Sequence, residues 1–184
     1  MGLRVSPTPI EGLLVVEPKV FKDARGYFME SYHQREYAAA GIGVEFVQDN
    51  QAQSVRGTLR GLHFQKKHPQ AKLVRVLQGR VFDVAVDLRG NSSTFGRWHG
   101  EILEAGSHRQ FFVPAGFAHG YLVLSDTALF AYKCSDFYQP EDEGGLAWND
   151  PEVGIAWPLE GIDEPFLSEK DRRLPKLTEL DFRF

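Results

Sequence analysis

Apolar residues in this chain come in short runs, broken repeatedly by glycine or proline, of which there are 18 and 10. Runs of that kind read as strands. They predict strands over 13–17, 44–53, 57–64, 72–77, 81–88, 98–103, 110–113, 119–125 and 128–134. Many short strands at this spacing mean a sandwich or a barrel. Helix is predicted over 33–40 (HQREYAAA), ended by Gly41, and in a short segment from Ser168. The expected fold class is all-β with a few short helices. No repeat or linker divides residues 1–184, so one domain is expected.

Alternation along the strands predicts which side chains share a face. Strands 72–77 and 81–88 are expected to form a hairpin around Gly79 and Arg80, with Val76 facing Asp83, Val74 facing Ala85 and Lys72 facing Asp87. The opposite face then carries Leu73, Leu77, Phe82, Val84, Val86 and Leu88 as a packing surface, with Arg75 as the exception. A second hairpin is expected to turn at Asp126 and Thr127, placing His119, Tyr121 and Tyr132 on one face as the lining of a cavity.

Composition narrows the class without naming a chemistry. The chain has 21 Lys and Arg against 25 Asp and Glu, a formal charge of −4, so it has no global basic field for nucleic acid. No apolar stretch is long enough to span a membrane, and the first residues carry no apolar signal core. The single Cys134 excludes an intrachain disulfide, and a cytoplasmic protein is expected. His33, His68, His99 and His108 read as surface residues.

Two motifs carry the chemistry, and both resemble altered cupin motifs. Gly57 is followed by five residues and then His63-Phe64-Gln65; Lys72 precedes Gly79 by six residues; Pro114-Ala115-Gly116 leads to His119. Gln65 stands where a second histidine ligand would be, and Lys72 where a glutamate would be. An ammonium there repels a divalent cation, so no metal is expected. His63 suits a general base. Lys72 can stabilise an enolate oxygen, and a tyrosine across the pocket, Tyr132, can return a proton. That set describes proton exchange at carbon beside a ketone. A metal-dependent cupin and a catalytically silent binding module are the rival classes.

The runs FKDARGYFMES (21–31), FVQDNQAQS (46–54), LRGLHFQ (59–65), KLVRVLQGRVFDVAVDLR (72–89), TFGRW (94–98), VPAGFAHGYLVLS (113–125), YKCSDFY (132–138) and WNDPEVGIAWP (148–158) closely resemble the dTDP-4-dehydrorhamnose 3,5-epimerase family. The resemblance implies a cupin-type jelly-roll β-barrel, a homodimer without cofactor, and inversion of C3 and C5 of dTDP-4-dehydro-6-deoxy-D-glucose on the way to dTDP-L-rhamnose. It implies that His63 is the base, Tyr132 the acid and Lys72 the enolate stabiliser. Asp171 is implied as the residue that orients His63, with Asp83 as the competitor for that role. Asp171 also has cap-like spacing from Ser168. Arg25, Glu30, Gln48, Asp49, Asn50, Arg60, His119, Glu143 and Lys170 match substrate-contacting positions. Phe21, Phe28 and Tyr138 are candidates to stack on thymine or to pack in the core. Arg60 and His63 lie three apart, on opposite faces of a regular strand. Either Gly61 hosts a bulge, or Arg60 serves the rim or a neighbouring subunit. A single-centre epimerase or a ketoisomerase on a related ketosugar is the alternative reading.

Overall fold

The structure is a computed structural model that describes residues 2–184. Strands are numbered in chain order. Sheet I contains β1 (Leu3–Pro7), β2 (Leu14–Pro18), β10 (Gln110–Val113), β7 (Lys72–Gln78), β12 (Thr127–Cys134) and β5 (Gln48–Val55), side by side in that order. Sheet II contains β13 (Glu143–Gly145), β6 (Leu59–Gln65), β11 (Phe117–Val123), β8 (Arg80–Asp87) and β9 (Trp98–Glu104). Neighbours in both sheets are antiparallel, and the sheets face each other as a cupin-type jelly-roll barrel. A separate hairpin, β3 (Val20–Asp23) and β4 (Gly26–Met29), pairs with neither sheet. Helix α1 spans Gln34–Ala39, and Gly41, with φ of 95°, ends it in the left-handed region that glycine tolerates. No helix among the described residues is long and apolar enough to cross a membrane.

Both expected hairpins are overturned. Strands β7 and β8 are consecutive, yet β7 pairs with β10 and β12 while β8 pairs with β11 and β9. Likewise β11 pairs with β6 and β8, and β12 with β5 and β7. At each turn the chain crosses from one sheet to the other. Pairing with the next strand in sequence was the wrong assumption; a Greek-key order puts it in the facing sheet.

The face assignments largely survive for a different reason. Val74 and Val76 of sheet I meet Val81, Ala85, Phe117, Tyr121 and Val123 of sheet II inside the barrel. The supposed single packing face is two outer faces. Leu73 and Phe112 pack under Tyr37 of α1 and Ile42, outside sheet I. Val84, Val86 and Leu88 pack outside sheet II against Trp157, Leu177, Phe182 and Phe184 of the C-terminal segment. Each fully buried Leu or Phe contributes about 1.5–3 kcal/mol. The packing that ties the C-terminal segment down also carries it past one end of the barrel.

Candidate active site

That end of the barrel opens into a cavity of about 660 Å³, within the usual range for a small-ligand site. Sheet II supplies Leu59, Arg60, His63, His119 and Tyr121; sheet I supplies Ala52, Lys72, Phe130 and Tyr132; the C-terminal segment adds Phe166 to Ser168, Lys170 and Asp171. His63 and Tyr132 therefore stand on facing walls.

A distortion in β6 brings Arg60 and His63 to one side. His119 is opposite His63, but Tyr121 is opposite Arg60, so β6 holds one more residue than β11 across this stretch. The bulge sits at Gly61, where φ is 123° and a Cβ would lie 2.6 Å from Gly120 Cα and 2.8 Å from His119 O. Only glycine fits there. Arg60 Nε donates to Ser54 Oγ at 3.0 Å.

His63 Nε2 lies 2.6 Å from Asp171 Oδ1. The carboxylate can only accept, so Nε2 carries the shared proton and Nδ1 is left free. Ser168 Oγ accepts the Asp171 backbone N–H at 3.0 Å, so the serine takes the capping role and the Asp171 carboxylate is left for His63. Burial works to raise the Asp171 carboxyl, but the bonds from His63 and Ser168 outweigh it and hold it below the usual range. Asp83 does not reach His63. It is buried inside the barrel, 2.8 Å from His119 Nε2. Burial raises the Asp83 carboxyl and lowers the Lys72 ammonium, each effect opposed by the other's charge. Burial also pushes the Tyr132 phenol up to about 12, so it keeps its proton at neutral pH.

The other expected residues divide into three groups. At the rim, Tyr138 Oη donates to Glu143 at 2.9 Å, Lys170 Nζ donates to Glu143 at 2.7 Å, and Gln48 accepts the Tyr138 N–H at 2.9 Å and donates to Asn50 at 2.9 Å. Asp49 points away, paired with Lys133 at 2.9 Å beside a depression on the outer face of sheet I that Arg75 also lines. Phe21, Arg25, Phe28 and Glu30 lie outside the cavity. Arg25 is paired with Asp23 at the tip of β3–β4, and Phe28 is 63% exposed, so packing in the core is not its role in this chain. Tyr138 is likewise half exposed.

Gln65 is buried and spent on the backbone. Its amide donates to His68 O and Phe137 O and accepts the Gln139 N–H. Among the described residues no three His, Cys, Asp or Glu side chains converge as a metal site. His99 is not a surface residue. It faces into the barrel, 2.9 Å from Glu101 and near Phe111. Phe130, Phe166 and Leu167 in the cavity wall, and Ser54 behind Arg60, were not expected; alternation from Asn50 along β5 would have pointed to Ser54, while nothing local marks Phe166.

Residues 7–179 match the family described as dTDP-4-dehydrorhamnose 3,5-epimerase. A protein of that name from Methanothermobacter thermautotrophicus is 52% identical over 176 residues, 96% of this chain and 95% of the relative. The crystal structure of dTDP-6-deoxy-D-glucose-3,5-epimerase from Legionella pneumophila, in complex with dTDP-4-keto-L-rhamnose, is 48% identical and superposes with a TM-score of 0.94 over 98% of this chain and 95% of that one. A 3'-monoepimerase from Streptomyces bikiniensis, in complex with dTDP-quinovose, is 38% identical with a TM-score of 0.86 over 94% of this chain and 87% of that one. With a family match across nearly its whole length and relatives at about half identity, this chain belongs to the dTDP-4-dehydrorhamnose 3,5-epimerase family.

Proposed function

We propose that this protein inverts C3 and C5 of dTDP-4-dehydro-6-deoxy-D-glucose to give dTDP-4-dehydro-L-rhamnose, a step of dTDP-L-rhamnose biosynthesis. The observation that carries the reading is the placement of His63 and Tyr132 on facing walls of one cavity, with Asp171 against His63 at 2.6 Å. The C4 ketone acidifies the C–H bonds on both sides of it. In a gluco ring the C3 and C5 hydrogens lie on one face. His63 Nδ1 on one wall removes each in turn, and Tyr132 on the other wall protonates the opposite face. Lys72, from the Tyr132 side, holds the C4 oxygen as it gains charge. The base is worth roughly 10²–10⁴-fold and an oxyanion donor roughly 10²–10³-fold. The Lys170–Glu143–Tyr138 rim holds the nucleotide, and Arg60 its charge. The chemistry uses no metal or cofactor, so a chelator should leave the rate unchanged.

The protein works as a homodimer in this reading. The β3–β4 arm pairs with neither sheet and leaves Phe21, Tyr27 and Phe28 exposed, and its Arg25 does not line the cavity of its own chain. A second copy gives the arm a surface to cover, and Arg25, Glu30 and an aromatic of the arm then complete the neighbour's site, where a guanidinium suits the pyrophosphate.

Likeness to a 3'-monoepimerase keeps single-centre inversion as the competing reading. Incubation with dTDP-4-dehydro-6-deoxy-D-glucose in D₂O separates the two: deuterium is expected at both C3 and C5. Label at one carbon alone would overturn the two-centre assignment, and exchange that survives His63→Ala would remove His63 as the base.

A further inference from the structure

His63 is not the only histidine in this cavity backed by an acid. His119 stands directly opposite it on the neighbouring strand, and its Nε2 lies 2.8 Å from Asp83 Oδ1. The two rings are built alike, each with Nε2 committed to a carboxylate from elsewhere in the fold. Asp83 differs from Asp171 in its setting. It is wholly buried on the inner face of β8, and its second oxygen, Oδ2, has no hydrogen-bond partner. Tyr121 and Glu101 are its cross-strand neighbours on either side, and Lys72 approaches from sheet I. An apolar side chain would fill that place without the desolvation penalty of a carboxylate. The arrangement therefore calls for a role beyond packing.

Geometry defines that role. Because Asp83 occupies Nε2, the His119 ring can offer only Nδ1 to the cavity. His119 lines the cavity from sheet II and Lys72 from sheet I, and Asp83 lies within the field of both. Building on the two-centre reading above, we propose that His119 and Lys72 grip the C4 oxygen from opposite sheets, and that Asp83 is the positioning residue that fixes the His119 ring for this contact. With both ring nitrogens protonated, His119 donates one hydrogen bond to Asp83 from Nε2 and one to the C4 oxygen from Nδ1. No bond to carbon forms or breaks at His119. The C4 oxygen is common to both enolates, so a group serving it affects C3 and C5 alike, whereas a group serving one carbon does not.

The test is a two-residue cycle read by deuterium exchange at C3 and C5, using the full chain, Asp83→Asn, His119→Ala and the double variant. Asp83→Asn should lower kcat for exchange at both carbons by the same factor, roughly 10–100-fold, with KM changed less than about two-fold. In the His119→Ala background the same substitution should add less than about two-fold, because Asp83 acts through His119. The full factor persisting without His119, a loss confined to one carbon, or a change in KM alone would each overturn the proposal. Nitrogen-15 spectra of the histidine rings in the unaltered protein with the ketosugar bound test it without any substitution: His119 must carry a proton on both Nε2 and Nδ1, and a ring protonated on one nitrogen alone rules it out. Exchange at only one carbon in the unaltered protein would end the two-centre reading, while the cycle at that carbon would still judge Asp83.

Discussion

A histidine works as a base only if the correct nitrogen is bare, and in the proposed mechanism Asp171 decides this for His63. Its carboxylate sits 2.6 Å from Nε2 and is 4% exposed, so water does not compete for the bond. Asp171→Asn lets the amide present N–H to the ring and favours the wrong tautomer. Exchange at C3 and C5 should fall together by roughly 10²–10⁴-fold, while dTDP affinity, measured by calorimetry, stays within a few-fold. A large loss of affinity instead would place Asp171 in substrate binding. His63, Lys72 and Tyr132 could be picked out from residue type and motif spacing. The partners of the histidines could not. Asp171 lies 108 positions from His63 in the chain, and Asp83, a candidate to orient His63, has His119 as its hydrogen-bond partner. Such pairs follow from which strands sit side by side, and that is not written locally.

Among the elements, strand positions were readable and strand partners were not. Apolar runs and turn residues placed most of the sheet strands to within a few residues, and alternation correctly separated inward from outward positions on β7, β8, β11 and β12. The β1 strand, the β3–β4 arm and β13 lacked that contrast between faces and went unseen. The bulge was foreshadowed by the clash between a three-residue spacing and a shared site, which Gly61 resolves. Gly61→Ala should destabilise by about 2–4 kcal/mol in urea titration, since a Cβ at positive φ must displace backbone of β11. The loop after β8 depends on Asp87, which accepts from Arg89, Ser92 and Thr94 and whose carboxyl is held down at about 2. A depressed folded value means its contribution, about 2 kcal/mol, is complete above the ordinary carboxylate range and is lost as pH falls from about 4 to 2. Asp87→Asn should remove that much stability at pH 7 and flatten the acid side of the curve; an unchanged acid limb would count against this account.

For the whole molecule, the proposed dimer makes each site a joint product of two chains, the arm of one copy serving the other. Arg25→Ala and His63→Ala chains should each be nearly inactive alone. Mixed and allowed to exchange subunits, they form hybrids in which one site has an intact His63 and an intact neighbouring arm. Activity should return to about a quarter of the unaltered level, the share expected from random pairing. No recovery after exchange confirmed by native mass spectrometry would mean the arm serves its own chain.

The crossing of consecutive strands between sheets has a consequence in time. No early local hairpin can assemble β7 with β8 or β11 with β12; apart from β8 with β9, the partners of these strands lie far away in the chain. Loop closure must come before those contacts are rewarded, which places folding in the slow, millisecond-to-second range of barrels. The walls bearing His63 and Tyr132 belong to different sheets and meet only when the two sheets close on each other. Enzyme activity after dilution from urea should therefore return with the slowest fluorescence change of Trp98 and Trp157, both packed on the outer face of sheet II, and never ahead of it. Catalysis in this chain is then a clock that starts only when the barrel has closed.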